Sequence, residues 1–282
     1  MAVEEKQRRL LAILGEYGRV AVAFSGGVDS AVVCKAAALS GADNIAVTAT
    51  SPSVAKGELE EAEQLAKLIG IRHVVLETNE FADSNYTSNP TDRCRYCKTE
   101  LYSQIAAKQI DLQFDVIANG ANTDDLGDYR PGLQAATEFH VHSPLVEAGI
   151  NKSDVRELAK HWSLPVWDKP ATPCLSSRVA YGVTVTPERL RRIDEAEIYL
   201  KSLLQIQELR VRCIENDVAR IEVPLAALPA LQSNENAVGS RLRSLGFQSV
   251  TIDERGFRSG SMNENLPLVS LQLSAQKESP TK

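Results

Sequence analysis

The chain has 282 residues and a formal net charge of −6, from 37 acidic and 31 basic side chains. That length suffices for a full core and for two domains, and the acidic balance argues against a general nucleic-acid-binding surface. No apolar stretch reaches the length of a membrane span, and residues 1–18 mix acidic and basic groups rather than forming a signal peptide. A cytoplasmic chain with no membrane partner is therefore expected. Five cysteines without a secretory signal point to thiol or metal chemistry rather than to a disulfide framework. Any anionic substrate must be held by a local basic cluster.

Leu10, Leu11 and Leu14 stand at helical spacing and predict a helix over 3–17. Residues 20–24 are a short apolar run of the kind a fully buried parallel strand needs. Ser25-Gly-Gly-Val-Asp-Ser30 breaks that run, and a helix follows to about residue 38. Next come a strand over 44–50, a helix over 56–69 and a strand over 73–76. The small residues that end the second strand would let a flat base lie against its tip. Residues 79–96 lose periodicity and carry Cys94-Arg-Tyr-Cys97, ahead of a helix with Cys97, Leu101 and Ile105 four apart. A fourth strand is expected over 114–118. It ends in a polar tip where Asn122 and Asp125 either face a ligand or cap the next turn. A short fifth strand over 139–143 and a helix over 153–161 complete this half. His140, His142 and His161 gather with no acids or cysteines and read as structural.

This alternation predicts an α/β fold with a doubly wound, mostly parallel sheet and ligands at the carboxyl ends of its strands. Residues 164–182 are too rich in Pro and Ser for a helix or central strand, and they mark a boundary between a first domain, 1–180, and a smaller α+β domain, 181–272. In the second domain the pattern gives a helix over 187–204 capped by Thr186, alternating strands over 209–213 and 219–223, a helix over 226–245 and a strand over 248–252. Residues 273–282 form a polar tail expected to be disordered.

The strand, glycine turn and helix start at 20–30 form a site for an anion. Glycines let the backbone turn sharply, and the free N–H groups of a first helical turn attract phosphate. Asp29 repels phosphate, so its use there is to hold a bridging Mg²⁺. The loop lacks the lysine of the G-x-x-x-x-G-K-[ST] nucleotide loop. It resembles instead the pyrophosphate loop (PP-loop) of the ATP pyrophosphatases. That resemblance implies ATP binding by Ala23, Ser25, Gly26, Gly27, Asp29, Ser30, Thr50 and Gly120.

Cys174 lies in a loop near Lys169 and Arg178, which would favour its thiolate. Cys94 and Cys97 form a CxxC, and with Cys174 make three thiols, one short of a closed structural zinc site and suited to a metal group with an open position. Cys34, in an apolar helix, and Cys213, in a strand, read as buried small hydrophobes. Arg210 and Arg212, two apart, share one strand face, and on the residues alone a solvated face is the simplest reading of them.

Taken together, Ser25-Gly-Gly-Val-Asp-Ser30, Gly120-Ala-Asn-Thr-Asp-Asp125 with Asp128-Tyr-Arg-Pro-Gly132, Pro173-Cys-Leu-Ser-Ser-Arg178 and Glu208-Leu-Arg-Val-Arg212 resemble the LarE family. These are ATP-dependent sulfur transferases that build the nickel-pincer nucleotide cofactor of lactate racemase. The resemblance implies adenylation of a carboxylate of pyridinium-3,5-biscarboxylic acid mononucleotide with ATP and Mg²⁺, then conversion to a thiocarboxylate. It implies Cys174 as the sulfur-bearing nucleophile, and Asn122, Asp125, Arg178, Arg210 and Arg212 as substrate residues. Arg258 matches a phosphate arginine supplied by a neighbouring subunit, so a homo-oligomer is implied, with other cofactor-biosynthesis proteins as partners. Some members sacrifice a single cysteine; others hold a [4Fe-4S] cluster on three, and Cys94, Cys97 and Cys174 match the second type. The competing readings are a transfer-RNA thiolase, an amidotransferase synthetase, and a non-catalytic nucleotide-binding iron–sulfur sensor. The acidic balance speaks against the first, the absence of a glutaminase domain in these residues against the second, and Asp29 against the third.

Overall fold

The computed structural model describes residues 3–127 and 131–258. Two compact units divide the chain, Met1–Cys174 and Leu175–Lys282. Among the described residues no helix is long and apolar enough to cross a membrane. The expected tail at 273–282 and the Asp128-Tyr-Arg130 part of the motif lie outside the described residues.

The first unit is built on four parallel strands, β1 (Val20–Ala23), β2 (Ile45–Thr50), β3 (Arg72–Glu77) and β4 (Val116–Ala118), in the order β3-β2-β1-β4. Val20, Ala21 and Val22 have no exposed surface, which is why β1 reads as an unbroken apolar run rather than an alternating one. Helices flank this sheet. Leu10 and Leu14 of helix Val3–Glu16, Ala31, Val32 and Cys34 of helix Val28–Leu39, and Val155 and Leu158 of helix Lys152–His161 share one core with β1. A second core joins Ala21, Ile45 and Ile117 to Leu101, Tyr102 and Ile105 of helix Arg93–Ala107. The chain runs β1 to β3 in one direction and then returns to place β4 on the other side of β1. The order therefore switches beside β1, where sheets of this class open a crevice at their carboxyl ends.

Two expectations for this unit fail. Residues 139–143 form no strand: Phe139 closes helix Gly132–Glu138, His140 takes a left-handed φ of 51°, and only a single bridge joins His142 to Ala118. Phe139 and Val141 pack onto the second core, but Ser143-Pro144 starts the next helix at once, leaving no room for a ladder. The CxxC is not in a loop. Helix Arg93–Ala107 begins one residue before Cys94, and residues before it form the short turns Glu80–Ala82 and Ser84–Thr87.

The second unit is a three-stranded sheet, β5 (Arg210–Ile214), β6 (Val218–Glu222) and β7 (Ser249–Ile252). The pair β5–β6 is antiparallel and β6–β7 parallel. Helix Pro187–Leu204 starts as expected, with the Thr186 hydroxyl accepting the Arg189 N–H and Pro187 at the first helical position. The expected single helix over 226–245 is broken into Leu225–Ala227, Leu228–Ser233 and Glu235–Ser244. Ser233 and Asn234 donate their side chains to the Pro229 and Ala230 carbonyls, competing with the backbone ladder at the break. Nor does β5 alternate: Arg210, Val211, Arg212 and Cys213 are all buried. Helix Pro187–Leu204 and the turn Leu175–Arg178 pack against it.

One buried ion pair ties these parts together. Arg178 and Glu197 are 2% and 3% exposed, and Glu197 accepts Arg178 Nε at 3.1 Å, Arg178 Nη2 at 3.3 Å and the β5 N–H of Val211 at 3.1 Å. Removing the carboxylate would strand a guanidinium and an amide in a dry interior. Glu197→Ala should lower unfolding stability by about 3 to 5 kcal/mol, read from urea denaturation followed by circular dichroism. A loss of under about 1 kcal/mol, the level of an exposed pair, would contradict this account of the second unit.

Candidate active site

The loop after β1 is built by its glycines. Phe24 N–H donates to the Val47 carbonyl, holding the strand end against β2, and the chain then turns at Gly26 with φ of 71°, a value that favours glycine. Gly27 is the N-cap of helix Val28–Leu39 and has no side chain to cap it, so the first-turn N–H groups face the crevice with the helix dipole behind them. Ser30 does not point outward. It is 5% exposed, donates Oγ to the Gly27 carbonyl and accepts the Ser25 N–H, which fixes the turn from inside. Gly120, just after β4, lies against the back of the same turn. A Cβ there would stand 2.8 Å from Ser30 N and 3.1 Å from the Asp29 carbonyl carbon.

Asp29 is the second residue of this helix and has both carboxylate oxygens engaged. Asn122 Nδ2 donates to Oδ1 at 3.1 Å, and Lys152 Nζ donates to Oδ2 at 2.5 Å. Asn122 is itself buried, and the Asp125 carboxylate accepts its backbone N–H. Asn122 thus holds Asp29, and Asp125 caps the turn that carries Asn122.

A cavity of about 540 Å³ opens over the loop, lined by Ala23, Ser25, Gly27 and Asp29, by Thr48 and Ser53 around β2, and by 169–174. Its charged lining is Asp29 and Glu58 with Lys98, Lys152 and Lys169. Gly26, Ser30, Thr50 and Gly120 do not line it; they shape the strand ends and turns behind it. Cys174 does line it.

Cys94 and Cys97, at positions i and i+3 of one helix, share a face, and each lies close enough to Cys174 to feel its charge. Desolvation pushes the Cys97 thiol up to about 12, and the charges of Cys174, Glu80 and Cys94 push the same way against Lys98. Desolvation also raises Cys94, with Cys174 second. Lys98 shows the other side of this grouping. Burial pulls its ammonium down, but the charges of Tyr102 and the three cysteines outweigh that pull, and the net direction is up. Among the described residues no three His, Cys, Asp or Glu side chains stand arranged as a ready metal site. The thiols are gathered without forming a ligand set. Cys34 and Cys213 are buried, at 0% and 1% exposed. Beside the helix start, Glu80 accepts from the hydroxyls of Ser51, at 2.6 Å, and Ser53.

In the second unit, Arg210 and Arg212 are 8% and 6% exposed, which excludes a solvated strand face. Arg212 donates Nε to Glu222 Oε2 at 3.0 Å and Nη1 to the Ser177 carbonyl. Arg210 is different: its guanidinium lies 5.2 Å from the Phe257 ring centroid and donates to the Leu209 carbonyl. No carboxylate among the described residues lies within ion-pair distance of it. Desolvation and the neighbouring Arg178 charge both lower its pKa, as expected of a buried guanidinium without a counter-ion. Arg258 pairs with Asp253 at 3.6 Å. Arg178 is committed to Glu197, and Lys169 to Glu61 at 2.7 Å.

Lys98 and Lys152 have no place in the sequence reading. A local signal exists for Lys152: Asn151 and Asp154 form a capping box, and their spacing puts Lys152 at the first position of a helix after the sheet.

Comparison with known proteins agrees with this geometry. The asparagine synthase family model matches residues 16–96, which include the loop. The uncharacterized protein slr1717 of Synechocystis is 43% identical over 94% of this chain and 99% of its own length. The pyridinium-3,5-bisthiocarboxylic acid mononucleotide synthase of Lactiplantibacillus plantarum is 38% identical over 94% of this chain and 96% of its own. The tRNA-specific 2-thiouridylase of Azorhizobium caulinodans is 33% identical, over 54% of this chain and 49% of its own.

The contact behind the loop gives a test. Gly120→Ala must push the Asp29–Ser30 backbone out of place, and we expect a stability loss of roughly 1 to 3 kcal/mol together with weaker ATP binding by titration calorimetry. Full ATP affinity in a folded Gly120→Ala protein would show that the turn does not depend on that contact.

Proposed function

This chain belongs to the LarE family of ATP-using PP-loop sulfur transferases, and from that membership we propose its substrate and the route of the sulfur. The substrate is pyridinium-3,5-biscarboxylic acid mononucleotide, and the product is its thiocarboxylate on the way to the nickel-pincer nucleotide cofactor. One observation carries the reading: Cys174 lines the same cavity as the phosphate-binding loop and Asp29. A nucleotide whose phosphates lie on the helix start would have its α-phosphate and an activated carboxylate within that cavity, where a thiol also stands.

The residues divide the work by their chemistry. Backbone N–H groups at 27–30 hold phosphate oxygens. Asp29 is the carboxylate that would hold Mg²⁺, which would neutralise phosphate charge. The substrate carboxylate attacks the α-phosphorus of ATP, pyrophosphate leaves, and the mixed anhydride is exposed to sulfur delivered through Cys174, with AMP departing. Arg210 and Arg212 hold the substrate phosphate, a role suited to planar guanidinium forks, and Arg210 has the more available charge.

Cys94, Cys97 and Cys174 are the residues that would hold a [4Fe-4S] cluster. Their donor chemistry fits: three thiols are gathered, and Cys94 and Cys97, raised by burial and by neighbouring charge, would be relieved of that penalty by a cation in place of their protons. Such a cluster would supply a thiophilic metal able to carry sulfur to the activated carboxylate.

Two measurements bear on this reading. Intact mass after anaerobic reaction separates the sulfur routes: with a cluster, Cys174 keeps its mass and Cys94→Ala loses both iron and activity. A stoichiometric loss of about 34 Da, one H₂S per chain, with normal activity in Cys94→Ala would replace the cluster by sacrifice of Cys174. For the arginines, Arg210→Lys keeps charge but loses the fork, so KM for the mononucleotide should rise roughly 10-fold with ATP affinity unchanged. An unaltered KM would return Arg210 to a purely structural role.

A further inference from the structure

Cys174 stands at the end of a short span whose root is held by two helices. The chain leaves the first core at Leu164, which is buried, and then turns, with Trp167 N–H donating to the Leu164 carbonyl and Lys169 N–H to the Val166 carbonyl. Helix Lys152–His161 grips this turn. Arg156 forks onto it, Nη1 donating to the Trp167 carbonyl at 2.7 Å and Nη2 to the Lys169 carbonyl at 3.2 Å. One helical turn on, the Lys160 ammonium lies 5.3 Å from the Trp167 ring centroid. Arg156 and Lys160 are four apart and share a helix face. From a second helix, Glu58–Ile69, Glu61 Oε2 holds Lys169 Nζ at 2.7 Å. Both helices pack against the one that begins at the phosphate loop. Beyond the anchor come Pro170-Ala-Thr-Pro-Cys174, all exposed and all lining the cavity. The two prolines lock their own φ and keep Lys169 and Thr172 out of the helical region. Such a span is a stiff strut, so its direction is set where it is anchored.

We propose that Arg156 is a positioning residue for sulfur transfer: by holding the carbonyls of Trp167 and Lys169 it aims Cys174 into the cavity. Arg156 does not itself line the cavity, so it acts through the strut and not on substrate or nucleotide. The proposal rests on the reading of Cys174 as the residue that delivers sulfur, and it holds for either sulfur route. The mixed anhydride has two fates. With sulfur in line, a carbon–sulfur bond forms, the carbon–oxygen bond to AMP breaks, and its electron pair leaves with AMP. With sulfur out of line, water attacks the same carbon and the same bond breaks. AMP again leaves, the water's oxygen stays on a regenerated carboxylate, and its protons pass to solvent. ATP is then consumed without product. Arg156 therefore sets how much thiocarboxylate is made for each pyrophosphate released, and leaves the adenylation step alone.

The test reads both fates in one sample. The full chain, in excess over the mononucleotide, is reacted once with ATP, Mg²⁺ and sulfide under anaerobic conditions, and pyrophosphate and thiocarboxylate are both measured. Wild type is compared with Arg156→Ala, Arg156→Lys and Cys174→Ala. Arg156→Ala should release pyrophosphate at the wild-type rate, while thiocarboxylate per pyrophosphate falls roughly 10-fold, the weight of a lost hydrogen bond from a charged group. Arg156→Lys keeps the charge but reaches one carbonyl only, and its ratio should lie between the two. An unchanged ratio in Arg156→Ala, or a parallel fall of both products as general loss of structure gives, would overturn the proposal. Should Arg156→Ala fail to fold, Arg156→Lys decides alone, and a ratio equal to wild type contradicts the proposal. A wild-type ratio in Cys174→Ala would instead bring down the reading of Cys174, and this proposal with it.

Discussion

A side-chain carbon at position 120 would lie 2.8 Å from the Ser30 nitrogen, and the nucleotide end of the first unit depends on there being none. That approach is where β4, arriving last, closes on the turn that β1 makes first. It sets Asn122 beside Asp29 and brings the following turn, with Asp124, to the start of the helix that bears Lys152. The crevice is therefore assembled from the two strands on either side of the switch in strand order. Its electrostatics follow from backbone geometry: open amide groups at one helix start, a carboxylate on the first turn, and a lysine from a second helix start.

The cavity and the second unit manage charge differently. In the cavity, Lys152 and Lys169 are part-exposed and each is paired with one carboxylate, Asp29 and Glu61. In the second unit, Arg178, Arg212, Glu197 and Glu222 are locked in a dry lattice whose members cannot be removed singly without cost. Among the described residues Arg210 has no carboxylate of its own in that lattice, and its charge lies against an aromatic face. Burial of an unpaired guanidinium is unfavourable, and an anionic group of a ligand would relieve it.

Much of this is legible from the residues in order. The unbroken apolar run at 20–24, the glycines after it and the Thr186-Pro187 cap are local signals, and the strand, the turn and the long helix follow from them. The signals that mislead are also local. Phe139 and Val141 look like a strand because they are apolar and alternate, yet they reach the core from a helix end and a left-handed residue. Residues 226–245 look like one helix until Ser233 and Asn234 turn their side chains onto the backbone. The ion pair between Asp29 and Lys152 joins residues 123 positions apart, so no window of sequence contains it. The burial of Arg210 is hidden for the same reason: its cover, Phe257, comes from beyond β7.

The central claim is that a carboxylate is activated by adenylation and then loses an oxygen to AMP as sulfur takes its place. The most direct measurement uses the mononucleotide with ¹⁸O in its carboxylates, reacted with ATP and a sulfur source under anaerobic conditions, followed by mass analysis of the nucleotide product. The account predicts AMP carrying one heavy oxygen, in step with thiocarboxylate formed. Unlabelled AMP, or ADP in place of AMP, alongside the same thiocarboxylate would contradict it.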